Sequence, residues 1–144
     1  MKITDAFLGE HAVLYPLLDR LERADSGEVR AQAALLAAAL HPHATLEDEL
    51  LFDEVEPHLG SAGGPLAVMR AEHEEVKATL DALLEGRADP APLVRRLVEV
   101  ARAHFAKEEQ ILFPLAEDLL SAEALEAAGE RWAERRLQPS AAAR

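Results

Sequence analysis

Two stretches of the chain carry one chemical pattern. His43-Ala44-Thr45-Leu46-Glu47 returns 61 residues later as His104-Phe105-Ala106-Lys107-Glu108, and each copy runs into an apolar trio, Leu50-Leu51-Phe52 and Ile111-Leu112-Phe113. A second echo, 62 residues apart, joins Glu10-His11 to Glu72-His73, each followed by a leucine-rich stretch. On a helix, residues four apart lie about 6 Å apart along the axis and about 40° apart around it. Each His-x-x-x-Glu therefore shows an imidazole and a carboxylate on one face. Two such pairs, with His11 and His73 as single histidines, are enough to hold a two-metal centre.

Helices are the elements that must position these residues. Ala, Leu, Glu and Arg dominate, and aromatics make up only 4% of the chain, which disfavours sheets. The first helix is expected from about Thr4, as N-cap, to Arg23, with an inward stripe of Phe7, His11, Leu14, Leu18 and Leu21. The second is expected from about Glu28 to Glu54. Its stripe of Val29, Ala33, Leu36, Leu40, His43, Glu47 and Leu50 steps by four and three, a heptad seam with polar residues inside it. Pro42 should kink or split this helix just before His43. The run Gly60-Ser61-Ala62-Gly63-Gly64 marks a break, and Pro65 suits the first turn of a third helix with the stripe Leu66, Met69, His73, Val76, Leu80 and Leu83. Gly86 ends it. Asp89-Pro90 opens a fourth, striped by Leu93, Leu97, Val100, His104, Glu108, Ile111 and Leu115, which Pro114 should bend. Ser121 is placed to cap a short fifth helix reaching about Leu137. The fold expected is all-α: an up-down-up-down four-helix bundle over residues 1–137 with a short C-terminal helix, then a frayed tail over 138–144.

Composition removes several functions. A length of 144 residues with 49% hydrophobic and 29% charged residues describes a globular domain with a real core. The net charge of −12 argues against nucleic acid, whose phosphates need a basic face. Arg131, Arg135 and Arg136 cluster, but among Glu130 and Glu134, which reads as a solvated helix face. The absence of cysteine rules out disulfides, iron–sulfur clusters and thiol chemistry. The chain opens without a signal-peptide pattern, and its longest apolar run, Ala33 to Leu40, is too short to cross a bilayer. No membrane association and a cytoplasmic location are expected.

Six polar residues, His11, His43, Glu47, His73, His104 and Glu108, thus sit on apolar stripes of four helices. A buried carboxylate without a partner is very costly, and no Lys or Arg recurs on these stripes to supply one. Metal cations are the partners that fit. Four imidazoles, two bridging carboxylates and a bridging oxide or hydroxide nearly fill two six-coordinate metals, leaving roughly one position on each for water or a small ligand. This mixed set suits iron or manganese better than calcium or magnesium, and zinc prefers four-coordinate sites. The metalloprotease pattern H-E-x-x-H fails because His73-Glu74 is followed by Lys77. Glu109 stands five residues after His104, about 140° off its face, so Glu108 is the preferred carboxylate. His41 and His58 are expected at the surface. Tyr15, one turn after His11, is placed either to line the pocket or, as expected, to serve ordinary core packing. Lys77, one turn after His73, is expected to bend towards solvent with its stem over apolar surface.

The order His, His-x-x-x-Glu, His, His-x-x-x-Glu, with Phe soon after both pairs, resembles the hemerythrin-like HHE cation-binding domains. The resemblance runs from Glu10-His11 through Ala116-Glu117, and the segment Glu123 to Arg136 is similar to the family's C-terminal helix. It implies a four-helix bundle around a non-haem di-iron centre. His11, His43, His73 and His104 would be terminal ligands, and Glu47 and Glu108 bridges between two iron ions. Oxygen-carrying hemerythrins have another histidine where this chain has Lys77, and their last carboxylate is an aspartate five residues after the helix-four histidine, where Glu108 here comes at four. The set of four His and two Glu is more similar to the di-iron domain of the repair-of-iron-centres proteins and to the iron-sensing domain of an F-box protein. The partner so implied is a small ligand: dioxygen, peroxide or nitric oxide. Iron handling or iron and oxygen sensing without turnover, and an oxidase- or peroxidase-like activity, stay open beside it.

Overall fold

Helix α1, Ile3–Arg23, buries its apolar stripe Phe7, Leu14, Leu18 and Leu21 together with His11, as the periodicity requires. In this computed structural model, which describes residues 1–59 and 64–138, every regular element is a helix or helical turn. The expected break at 60–63 and the tail beyond residue 138 lie outside the described residues. Thr4 does not cap α1. It is buried inside the first turn, and its hydroxyl instead donates to Glu117 at 2.7 Å.

Helix α2, Val29–Glu47, runs unbroken through Pro42. It then widens into a π-helical turn, Asp48–Phe52, tightens again over Asp53–Val55, and ends in a 3₁₀ turn, Glu56–His58. Helix α3, Gly64–Glu85, stops at Gly86, whose φ of 67° is the left-handed conformation favoured after a helix end. Helix α4, Pro90–Lys107, starts as expected: Asp89 Oδ1 accepts from the Ala91 N–H at 3.2 Å. It too opens into a π turn, Glu108–Leu112, before continuing as Phe113–Leu119. Helix α5, Ala122–Leu137, is capped by the Ser121 hydroxyl, which accepts from Ala124 N–H at 3.1 Å.

The two π turns occupy matching places in the repeat, at the end of each His-x-x-x-Glu. Pro114 follows the second and removes a backbone donor there, but the matching position after the first is Asp53, so proline is not what the two have in common. Such turns insert an extra residue and often mark functional sites. They also explain one failure of the expected stripe: Ile111 is 58% exposed while Leu112 and Phe113 face inward. Its mate Leu50 is buried, on a turn that α5 packs against.

α1 packs on α2, α2 on α3, α3 on α4 and α4 on α1, so the four long helices close a ring. Two apolar clusters fill it. One gathers Leu14, Leu18, Leu36, Leu80, Leu97 and Phe105, and the other Ile3, Phe7, Leu51, Phe52, Met69 and Phe113. On every helix the striped polar residues fall between the two clusters. α5 lies outside the ring against α1, so close that a Cβ on Gly129 would stand 1.9 Å from the Met1 carbonyl oxygen. Its arginines are not simply solvated. Arg131 reaches Glu54 at 2.9 Å, Arg135 reaches Glu49 at 2.7 Å, and Arg136 pairs with Glu10. None of the described helices is long and apolar enough to cross a membrane.

Candidate metal centre

All six striped polar residues are buried, and Glu47, Glu108 and His11 have no exposure at all. They converge as two groups that share both carboxylates. In the first, His11, His43, Glu47 and Glu108 present ligand atoms within 4.8 Å of one another; in the second, Glu47, His73, His104 and Glu108 do the same. Each imidazole aims Nε2 at the shared carboxylates. His43 Nε2 and His73 Nε2 both lie 3.2 Å from Glu47 Oε1, His104 Nε2 lies 3.1 Å from Glu108 Oε1, and His11 Nε2 lies 3.4 Å from that same oxygen.

The donor chemistry fits a pair of cations. Both ring nitrogens of His11, the Nε2 atoms of His43 and His104, Glu47 Oε2 and both Glu108 oxygens are buried without a hydrogen-bond partner. Buried polar groups are nearly always satisfied, so the orphaned Nε2 atoms and carboxylate oxygens, which converge within the two donor groups, mark a place where a ligand belongs. His and carboxylate donors are those that iron, manganese and zinc accept.

Behind each imidazole stands a second carboxylate that the reading of single helix faces missed. His43 Nδ1 donates to Glu10 Oε1 at 2.9 Å, His73 Nδ1 to Asp48 Oδ1 at 3.0 Å, and His104 Nδ1 to Glu72 Oε1 at 3.3 Å. Glu109 Oε1 stands 3.8 Å from His11 Nδ1. Such carboxylate–imidazole pairs fix the ring and the tautomer that leaves Nε2 free for a metal. The repeat held the signal. Glu10 and Glu72 each precede a single histidine, and Asp48 and Glu109 each follow a buried glutamate. The bonds cross between helices, which a one-helix argument cannot see.

Aromatic rings wall the centre. The Phe that follows each His-x-x-x-Glu packs flat on the single histidine of the other repeat: Phe52 on His73 at 5.2 Å, and Phe113 on His11 at 5.6 Å. Phe105 also stacks on His11 at 4.3 Å. Tyr15 is not mere core packing, since its hydroxyl donates to Glu109 Oε2 at 2.6 Å. His58 is exposed, as expected; His41 is only partly so. Lys77 is turned to the exposed Glu74, with Nζ 3.7 Å away. Its side chain also lines a cavity of about 10 Å³ bounded by Leu40, Ala44, Val76, Ala101 and Phe105, with His43, His73 and His104 on the same wall. That is room for a molecule the size of water.

Metal-free electrostatics are dominated by burial and by the acid pair. Burial opposes charge on His43, but Glu47 and Glu10 outweigh it and hold the imidazolium up to about 10. Burial likewise opposes His73, which Asp48 and Glu47 raise to about 9. His104 rises too, mainly through Glu108 against its own burial. His11 goes down, because burial prevails there over Glu108. Glu47, though buried, is pulled well below the carboxylate range, chiefly by His43. Glu108 is pushed up by burial and then by the neighbouring Glu47. The two carboxylates thus stand side by side with opposite shifts, Glu47 lowered and Glu108 raised.

The family model for the hemerythrin HHE cation-binding domain matches residues 2–116. Neither the curated proteins nor the solved structures yield a match. The matched span holds all six buried donors and most of the four helices that carry them, while α5 lies beyond it. On that match and that arrangement, the chain belongs to the hemerythrin HHE cation-binding domain family.

Proposed function

We propose that this is a non-haem di-iron protein that handles a small ligand or redox species, namely dioxygen, peroxide or nitric oxide. One observation carries the reading: two four-donor groups share Glu47 and Glu108 in a core where both carboxylates are fully buried. A single-ion site would not need two bridging-type carboxylates with imidazoles on either side. On this reading His11 and His43 would hold one ion and His73 and His104 the other, with Glu47 and Glu108 shared between them, and an oxide or hydroxide would complete the set. The four long helices run up-down-up-down within one domain over 1–137, in a cytoplasmic protein that has no nucleic-acid or membrane partner.

Iron held there would supply one-electron redox change and a coordination position for the ligand. The chain's own residues do the rest. Glu10, Asp48 and Glu72 orient imidazoles through Nδ1. Phe52, Phe105 and Phe113 exclude water from the donor cluster and so strengthen every electrostatic contact in it. The cavity beside His73 and His104 is also lined by His43, Glu72 and Lys77, is otherwise apolar, and has room for about one water-sized molecule.

The test is anaerobic reconstitution with ferrous iron, elemental analysis, and then exposure to oxygen, peroxide and nitric oxide under optical spectroscopy. Close to two irons per chain and a spectral response to at least one of the three are expected. A response to oxygen that reverses on its removal means carriage; repeated consumption of peroxide means an enzyme. A second reading, iron handling or sensing without turnover, is favoured by the orphaned donors, which make the fold itself depend on loading. It is the result if no species elicits a response and loading raises the melting temperature strongly. One metal or none after reconstitution rejects the di-iron reading.

A further inference from the structure

Four carboxylates stand behind four imidazoles, but only three of them bond their ring. Glu10, Asp48 and Glu72 accept from His43, His73 and His104; Arg136 in turn pairs with Glu10 and Lys107 donates to Glu72 at 2.6 Å, while Arg70 stands 3.8 Å from Asp48 and bonds Asp53 at 3.0 Å. The fourth is different. Glu109 stands 3.8 Å from His11 Nδ1, beyond hydrogen-bond reach, and among the described residues that nitrogen has no partner. The group holding Glu109 is a phenol, Tyr15, at 2.6 Å.

The two copies differ here in named residues. Glu109 follows Glu108 as Asp48 follows Glu47; Asp48 is the first residue of its π turn and Glu109 the second of its own. Tyr15 and Lys77 are mates 62 residues apart, each one turn after its histidine. Lys77 turns away to Glu74, and Asp48 bonds His73; Tyr15 turns to Glu109, and His11 goes without.

We propose that Tyr15, by holding Glu109, makes His11 the least firmly presented ligand. The metal position between His73 and His104 then fills first, and the position between His11 and His43 second. This rests on the two-metal reading above. A carboxylate bonded to Nδ1 selects the tautomer that offers Nε2 and makes that nitrogen more basic. Loss of such a partner typically costs about 10–100-fold in metal affinity. Both imidazoles of the first-filling position have that bond, and only one of the other pair does. Packing does not supply the difference, since the His11 ring is stacked by Phe105 and Phe113 as His73 is by Phe52.

The experiment titrates metal-free protein with zinc, which is redox-silent, following ¹⁵N-labelled histidine side chains by NMR and the heat by calorimetry. At one equivalent, His73 and His104 should show metal-bound Nε2 while His11 does not. Tyr15→Phe, which frees Glu109 to turn to His11, should tighten the second step by about tenfold or more. Asp48→Asn should weaken the first step by a similar factor. Repulsion between two cations sharing Glu47 and Glu108 separates the steps in any case, so filling order and the response to Tyr15→Phe decide the matter. His11 metallated before or together with His73 overturns the proposal, as does a second step unchanged in Tyr15→Phe. If that variant folds poorly, the filling order in the unaltered protein decides alone. Binding of one zinc only rejects the two-metal reading, whereas two ions in the opposite order reject the role of Tyr15 and leave that reading standing.

Discussion

Glu108→Gln should move the stability of the protein in opposite directions with and without metal. In the metal-free protein Glu108 is fully buried, and burial and then Glu47 push its carboxyl up. A carboxyl whose folded value is raised opposes folding at any pH above its unfolded value near 4.3, and the cost persists through neutrality. Gln has the same shape and removes the charge that Glu47 repels. The empty variant should therefore gain about 1–2 kcal/mol, on the order of the penalty for a poorly satisfied buried polar group. For a chain of this length that is a rise of about 3–8 °C in melting temperature. Loaded protein should do the reverse. An ion at a hundredfold excess over its Kd adds about 2.7 kcal/mol per site, and an amide bridges cations far less well than a carboxylate. The loaded variant should lose at least one such increment. Thermal melts of both proteins, with a chelator and with ferrous iron under argon, measure all four states. Curves that do not cross, with Glu108→Gln lower in both states by the same amount, would show that Glu108 serves packing and not a cation.

Protons report the same site. His43 at about 10 and His73 at about 9 are charged at pH 7 in the empty protein and must be neutral to coordinate, so loading should expel at least two protons per chain, with His104 and Glu108, also pushed up, adding to the count. Apparent affinity should therefore climb steeply with pH up to about 9, and calorimetry in buffers of differing ionisation heat counts the protons. The same raised values favour the empty fold below pH 6.5, and this contribution is lost as the pH rises through 9 to 10, so metal-free melts should fall there. Gly129→Ala should loosen α5 from the N-terminus, because its Cβ would meet the Met1 carbonyl; a loss of about 1–3 kcal/mol is expected, with faster hydrogen exchange in α5 than elsewhere. Lys77→His places an imidazole in the cavity beside His73; azide affinity of the iron-loaded protein should drop about tenfold or more with metal content unchanged.

Much of this was legible in the sequence because burial follows a helical period. The stripes of α1 and α3 are buried as written, His11 and His73 among them, and Asp89 and Ser121 cap the helices they were expected to cap. What was hidden lay where the period changes or where bonds cross between helices. A π turn adds one residue to a turn without any residue type that demands it, so a stripe written at constant period puts Ile111 inward, where it is 58% exposed. Glu10 was visible beside His11, but its bond is to His43 on the next helix. The arginines of α5 read as solvated because charge counted along one helix says nothing about the carboxylates facing it from α1 and α2.

The departures from the repeat are as informative as the repeat. Two equal halves would present two equal metal positions, and neither would be marked out for a ligand. Here the halves differ at Tyr15 and Lys77, and at Leu50 and Ile111. They differ again in α5, which packs on the π turn of α2. Glu10 carries that third difference inward: Arg136 of α5 holds it, and it holds His43. Its mate Glu72 is held by Lys107 of the same helix as His104, a contact within the ring. The small cavity is lined by His43, His73, His104 and Lys77, but not by His11 or Tyr15. On the two-metal reading, one ion would be held by two bonded imidazoles that both line the cavity, and the other by one imidazole that does and by His11, unbonded, that does not. That is a physical basis for giving ligand contact to the first and adjustable affinity to the second.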